Sequence, residues 1–145
     1  MQKFAINMAK IMLLSGDKKF YQVSIEVTKQ LGFIGEVVQS HLALFPDDHL
    51  DIGVQSKILS KMIEWTTLQR CEPVVEGQVL PSWYNRYFEM NLKLLMDLTW
   101  VTNSLEMQDL YEHSFRMLDK TMKVKSRQQI RAAAAPRKPK KVTKK

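Results

Sequence analysis

The chain has 145 residues, a length that suits one domain whose core needs no disulfide or metal. Hydrophobic residues make up 45% of it and charged residues 26%, the balance of an ordinary globular protein. The single cysteine, Cys71, can form no internal disulfide, and no run reaches the roughly 18 apolar residues of a membrane span. We therefore expect a protein of reducing compartments, cytoplasmic and nuclear, with no membrane association and no secretion signal.

The net charge of +7 is unevenly distributed along the chain. From Lys120 to the end there are 11 Lys/Arg and no Asp/Glu. The preceding 119 residues contain the other 11 Lys/Arg and all 15 acidic residues, a net charge of −4. The basic character thus belongs to an appendage, and it gives no support to nucleic-acid binding by the folded part.

The first predicted element is a β-hairpin over residues 10–23. Two short β-prone runs flank Ser15-Gly16-Asp17-Lys18, which are residues typical of a tight turn. Residues 25–45 then change to helical spacing, and two interpretations stay open because of Gly32: one continuous helix, or two short helices broken near that glycine.

The middle of the chain predicts a short third strand over residues 50–53, followed by an amphipathic helix over residues 54–68. Residues 71–81 contain two prolines and Gly77, which indicates an exposed connector.

The last folded stretch predicts helix throughout, and the fold class is therefore α/β with helix dominant. One helix ends near Thr102, and a second begins at Leu105 and continues through Leu118. Ser126 is predicted to cap a short third helix that Pro136 stops, and residues 135–145 form a basic, disordered tail.

Five segments in order resemble the Skp family, the adaptors of cullin-based SCF ubiquitin ligases. They are Ile-Glu-Val-Thr-Lys-Gln at residues 25–30, Ile58-Leu-Ser-Lys-Met-Ile-Glu-Trp65, Leu80-Pro-Ser-Trp83, Asn103-Ser-Leu105 with Leu110, and Ser126-Arg-Gln-Gln-Ile-Arg131. The resemblance covers roughly residues 10–133 and spaces these segments without a gap.

The resemblance implies a BTB/POZ-type fold, a small sheet flanked by helices, over residues 1–104. Partner-binding helices over residues 105–134 would then hold the F-box of a substrate receptor, and a surface elsewhere would bind a cullin. For the F-box side it implies Met107, Leu110, Met117, Thr121, Val124 and Ile130. For the cullin side it implies Asn103 and Ser104.

Two departures from the family pattern bear on these partners. Ser104 stands where the family has a tyrosine that anchors the cullin-facing surface, and aromatic anchors often supply much of an interface's energy. After the last matching segment, Ala132–Ala135 lead into the basic tail instead of the family's continuing acidic helix. Part of the F-box-binding surface is therefore expected to be missing.

The nine methionines and the apolar residues of the C-terminal helices suit an adaptable binding surface. The alternative is that they close the domain's own core, and an exposed patch of this kind could also form a homodimer. For Trp65, Trp83 and Trp100 we expect packing within the fold.

Catalysis finds little support in the residues. The three histidines are scattered, none has metal-ligand spacing, and there is no phosphate-binding loop or nucleophile motif. The sequence thus predicts no enzyme, no metal and no cofactor.

Three interpretations of the basic tail stay open. It could be a solvated end, a nuclear import signal formed by Arg137, Lys138, Lys140 and Lys141, or a weak and non-specific contact to nucleic acid. The alternative to an adaptor of protein ubiquitination is a diverged paralogue, a nuclear interaction protein that has lost F-box or cullin binding.

Overall fold

The structure is a computed structural model that describes residues 9–134, with side chains described as far as residue 128. Within these residues it has three strands, β1 (Lys10–Leu14), β2 (Phe20–Ser24) and β3 (Leu50–Asp51). The helices are α1 (Ile25–Thr28), α2 (Phe33–Leu44), α3 (Ser56–Cys71), α4 (Ser82–Tyr87), α5 (Leu92–Ser104) and α6 (Gln108–Ala134). A helix-dominant fold with a small sheet is thereby confirmed.

The three strands form one sheet in the order β2-β1-β3. The predicted hairpin is confirmed, because β1 pairs antiparallel with β2 from Lys10 opposite Ser24 to Leu14 opposite Phe20. The third strand is present but has only two residues, and it pairs parallel with the end of β1. Ile11 and Leu13 alternate on the buried face of β1, as one covered side of a sheet requires.

A single hydrophobic cluster joins the sheet to the long helices. Leu13 from β1, Leu59 and Met62 from α3, Leu98 from α5 and Leu110 from α6 are all completely buried in it. Each such side chain contributes about 1.5–3 kcal/mol by burial. Helices α5 and α6 are therefore built onto the same core as the sheet.

Asp17 in the hairpin turn fixes the start of helix α3. Its carboxylate accepts hydrogen bonds from the backbone N–H of Ser56 at 2.8 Å and from the Ser56 hydroxyl at 2.6 Å. Ser15 donates a third at 2.8 Å. These hydrogen bonds hold the pKa of Asp17 well below its usual range. The bond from the Ser56 side chain has the largest effect, followed by the bond from the Ser15 side chain. The turn thus ties the hairpin to the helix that crosses the core.

Gly32 separates α1 from α2, so the interpretation as two short helices is the correct one. Its φ of 62° lies in the left-handed region that favours glycine. The backbone of the turn after α5 approaches closely: the N–H of Phe33 donates to the carbonyl of Leu105 at 2.8 Å. A Cβ at Gly32 would lie only 2.2 Å from that carbonyl oxygen.

The prediction of a helix start at Ser126 is wrong. Helix α6 continues without a break through this residue, whose side chain is exposed. A serine caps a helix only where the backbone leaves the helical conformation, and the neighbouring Lys125 and Gln128 favour helix. The predicted start at Leu105 is also wrong, because Leu105 ends α5 and Glu106, with φ of 57°, turns the chain toward α6.

In the part of the chain that the structure describes, no helix is long and apolar enough to cross a membrane.

Candidate functional site

An aromatic cluster around Trp65 holds helices α3, α4 and α6 together. The Trp65 ring centroid lies 5.4 Å from that of Trp83, 5.3 Å from that of Tyr87 and 5.2 Å from that of His113. Trp65 and Trp83 are both buried, as expected from the sequence. The cluster thus fixes the position of α6 against α3 and α4.

Hydrogen bonds also fix the first turns of α6 against α3 and α4. The indole N–H of Trp65 donates to the Asp109 carboxylate at 3.1 Å, and the amide of Gln69 donates to the same oxygen at 2.7 Å. His113 Nδ1 shares a 2.8 Å hydrogen bond with the Tyr84 hydroxyl. Burial lowers the pKa of His113, so the neutral ring is favoured in the fold.

The residues predicted for F-box contact are not all on one surface. Met107 and Leu110 are buried in the core of this chain, where no exposed surface is left for a partner. Met117 and Thr121 are half-buried, and Val124 is exposed. Ile130 lies in α6, but its side chain is outside the described residues. Contact with an F-box stays a prediction for Met117, Thr121, Val124 and Ile130, because the burial of Met107 and Leu110 leaves those two no exposed surface.

Helix α6 presents a broad apolar surface that includes residues missing from that prediction. Phe115 is 51% exposed, Met122 46% and Val124 42%. We use the name α6 apolar face for Phe115, Met117, Leu118, Thr121, Met122 and Val124. The signal in the sequence was the spacing of Phe115, Leu118 and Met122, three and four residues apart, which places them on one side of a helix.

Helix α5 presents a second exposed surface near its end, which contains the two residues predicted for cullin contact. Asn103 and Ser104 are both exposed, and the Ser104 hydroxyl donates to the carbonyl of Trp100 at 3.1 Å. Trp100 and Met96 lie one and two turns before them on the same side. These four residues are the α5 exposed face.

The expectation that Trp100 packs within the fold is wrong, because its side chain is 73% exposed. Helix α5 turns its other side to the core, through Leu95, Leu98, Thr99 and Thr102. Beside the ring lies a groove of about 480 Å³ that reaches Lys57 at the start of α3, and Leu94 and Asp97 line it on α5.

A larger cleft, about 720 Å³, lies between α1, the end of α3 and the turn before α6. Its walls mix both charges, with Lys29 and Arg70 beside Glu26, Glu106 and Asp109. Over residues 9–134 no group of three or more His, Cys, Asp or Glu is arranged to hold a metal ion. The cleft brings together neither a nucleophile and a base nor a set of ligands.

Comparison with family models identifies the amino-terminal part of the chain, against which these two helices pack. Residues 9–70 match the model described as Skp1 family, tetramerisation domain. Residues 9–70 thus form a domain of the Skp1 family. No curated protein matches the chain.

The matched segment contains the sheet, α1, α2 and most of α3. The POZ-type unit that the resemblance implied was longer, residues 1–104, and those bounds stay a prediction. The α5 exposed face and the α6 apolar face both lie beyond residue 70, on helices packed against the matched segment. The predicted import residues, Arg137, Lys138, Lys140 and Lys141, lie outside the described residues.

Proposed function

We propose that this chain, with its Skp1-family domain, is a non-enzymatic adaptor that links an F-box receptor to a cullin in an SCF-type ubiquitin ligase. Skp1-family proteins are adaptors and not enzymes, and their partners in general are F-box proteins and cullins. The observation that supports the proposal is the presence of two exposed apolar surfaces on neighbouring helices of one core, as an adaptor with two partners needs.

The receptor would bind the α6 apolar face. Phe115, Met122 and Val124 are each more than two-fifths exposed, so they offer apolar area that the chain itself leaves in water. The first turns of the same helix are fixed by Trp65 and Asp109, so the face is held in position before a partner arrives.

The cullin would bind the α5 exposed face, with Trp100 as its aromatic anchor. Ser104 removes the aromatic ring that the family pattern has at this position, and Trp100 supplies another one helical turn earlier. Tryptophan is among the residues that most often carry the binding energy of an interface. Truncating Trp100 should therefore weaken cullin binding by at least about tenfold, or 1.4 kcal/mol.

Co-purification at controlled salt tests both arms of the proposal. The recombinant chain is mixed with a panel of F-box segments and with a cullin amino-terminal domain. We expect Trp100→Ala to lose the cullin and keep the F-box, and Val124→Asp to lose the F-box and keep the cullin.

Val79→Ala is the control, because Val79 is 96% exposed in the connector and belongs to neither the α5 exposed face nor the α6 apolar face. It should keep both partners. If the unmodified chain captures neither partner at low salt, the adaptor proposal is wrong, and the role of a nuclear interaction protein that has lost these partners takes its place.

A further inference from the structure

The apolar side of α6 continues past the body of the domain. Leu110 and Ser114 face the core and are completely buried. Met117, Thr121 and Val124 follow at intervals of three and four residues, so they lie on that same side of the helix. Their exposure rises along the helix, from half-buried at Met117 and Thr121 to 42% at Val124. The side of α6 that packs against the core therefore continues beyond the core, where none of the described residues buries it.

A second row of the α6 apolar face lies beside the first. Phe115, Leu118 and Met122 repeat at three and four residues, and Phe115 and Met122 are about half exposed. Tyr111 precedes them, with its ring centroid 6.0 Å from that of Phe115. The two rows together make an apolar strip wide enough for one helix to lie along it.

The charges around this strip are almost all positive. Lys120, Lys123, Lys125 and Arg127 are exposed on the second half of α6. Asp119 is the last acidic residue of the chain, and it forms an ion pair with Lys123 at 3.1 Å. Lys120 lies one turn before Val124 and Lys125 one turn after Thr121, and neither lysine has an acidic residue three or four positions away on the helix.

We propose that the α6 apolar face and its flanking lysines bind an acidic amphipathic helix of a partner protein. Apolar residues of that helix would cover Thr121, Met122 and Val124, and its Asp and Glu side chains would meet Lys120 and Lys125. The inference rests on the proposed adaptor function and adds to it a charge preference: the receptor segment that this chain accepts is acidic.

A helix suits this surface better than a nucleic acid or a lipid bilayer. Phosphate groups would pair with the lysines but would leave Met122 and Val124 in water. A flat bilayer could not cover the whole strip, since Met117 and Leu118 are partly buried against the body of the domain. A single helix can lie along the strip and contact both its apolar and its charged residues.

Fluorescence anisotropy with labelled peptides and the full chain tests the charge preference. The probe is a leucine–glutamate amphipathic peptide of about five helical turns. One comparison peptide has the same composition in scrambled order, and another has lysine in place of every glutamate. We expect the acidic amphipathic peptide to bind at least about tenfold more tightly than either.

Variants locate the binding on α6. Val124→Asp should weaken the binding of the acidic peptide about tenfold, because it places a carboxylate on the apolar strip. Lys120→Glu combined with Lys125→Glu should reverse the preference toward the lysine peptide. Lys57→Glu reverses one exposed lysine outside α6, on α3, and should leave the affinity unchanged.

Two results would overturn the inference. Equal binding of the scrambled peptide would mean that the basic tail attracts any acidic chain. Tighter binding to duplex DNA, or to vesicles containing phosphatidylserine, with the same sensitivity to Val124→Asp, would assign the surface to another class of partner. An F-box segment that binds in the co-purification while the peptide preference is absent would leave the adaptor proposal standing and remove only this inference.

Discussion

Replacing Gly32 with alanine should separate the amino-terminal unit from the turn between α5 and α6. Gly32 has φ of 62°, and the nearest atom to an added Cβ is the backbone oxygen of Leu105, at 2.2 Å. The carbonyl carbon of Glu106 and the amide nitrogen of Met107 would both lie at 3.0 Å. Because all three atoms are backbone, no side-chain rotation can relieve the overlap.

The expected cost can be worked from two contributions. A non-glycine residue in this backbone region costs about 1–3 kcal/mol. Moving the turn away also breaks the hydrogen bond from Phe33 to Leu105, worth about 1 kcal/mol. A loss of about 3 kcal/mol in the free energy of unfolding would lower the melting temperature by roughly 10 °C.

Thermal and urea unfolding followed by circular dichroism measures this loss, with Gly77→Ala as the matched control. Gly77 has φ of 80°, but an added Cβ would meet nothing within 4 Å among the described residues. The control isolates the backbone strain, about 1–3 kcal/mol. Equal losses for the two variants would refute the reasoning, since they would show that the close approach at Gly32 adds nothing to the cost.

Three further changes probe the contacts that position the surfaces. Trp65→Phe removes the donor to Asp109 and part of the aromatic packing, and urea unfolding should show a loss of about 2 kcal/mol; an unchanged midpoint would contradict this. Asp17→Asn should destabilise the fold at neutral pH, because the lowered pKa of Asp17 stabilises the folded state at pH values above the unfolded pKa of 3.8. The difference in unfolding free energy between the variant and the unmodified chain should shrink as the pH falls below 3.8, and a constant difference would contradict this. The pKa of His113 is lowered from 6.5, so the folded state binds fewer protons than the unfolded chain. The free energy of unfolding should therefore decrease as the pH is lowered below about 6.5, and His113→Gln should weaken this dependence. The same pH dependence in the variant would count against a buried neutral ring at His113.

Local signals were enough to predict the hairpin and helix α3. The turn residues Ser15–Lys18 act through contacts within a few positions of themselves, such as the bond from the Lys19 N–H to the Ser15 hydroxyl. The helical spacing from Ile58 to Trp65 likewise repeats over short distances. Elements of this kind depend little on the rest of the chain.

The orientation of α5 could not be predicted in the same way. Trp100 is its largest apolar residue, but the helix buries Thr99 and Thr102 instead. Both hydroxyls donate to carbonyls four residues earlier at 2.8 Å, so they enter the core with their polar groups satisfied. Hydropathy counts a threonine as a weaker core residue than a tryptophan, and it carries no information about such bonds.

The sequence proposed a location for the candidate site but did not separate its buried residues from its exposed ones. Resemblance to the family pointed to the C-terminal helices, and exposed apolar residues do occur there. It could not distinguish Met107 and Leu110, which pack inside, from Phe115 and Met122, which face solvent. That distinction depends on how α6 rotates against α5, which is set by contacts such as Trp65 with Asp109, 44 residues apart.

The extension of α6 past the body has a consequence for how this protein can change over generations. A helix rises about 1.5 Å per residue, so the stretch from Lys120 to Ala134 reaches roughly 20 Å from the last core contacts. Side chains from Lys123 to Gln128 are exposed, so substitutions there should cost the fold little. Mutations in this part of α6 can therefore change which partners bind there without destabilising the core. New partner preferences can accumulate on it while the sheet and α3 stay unchanged.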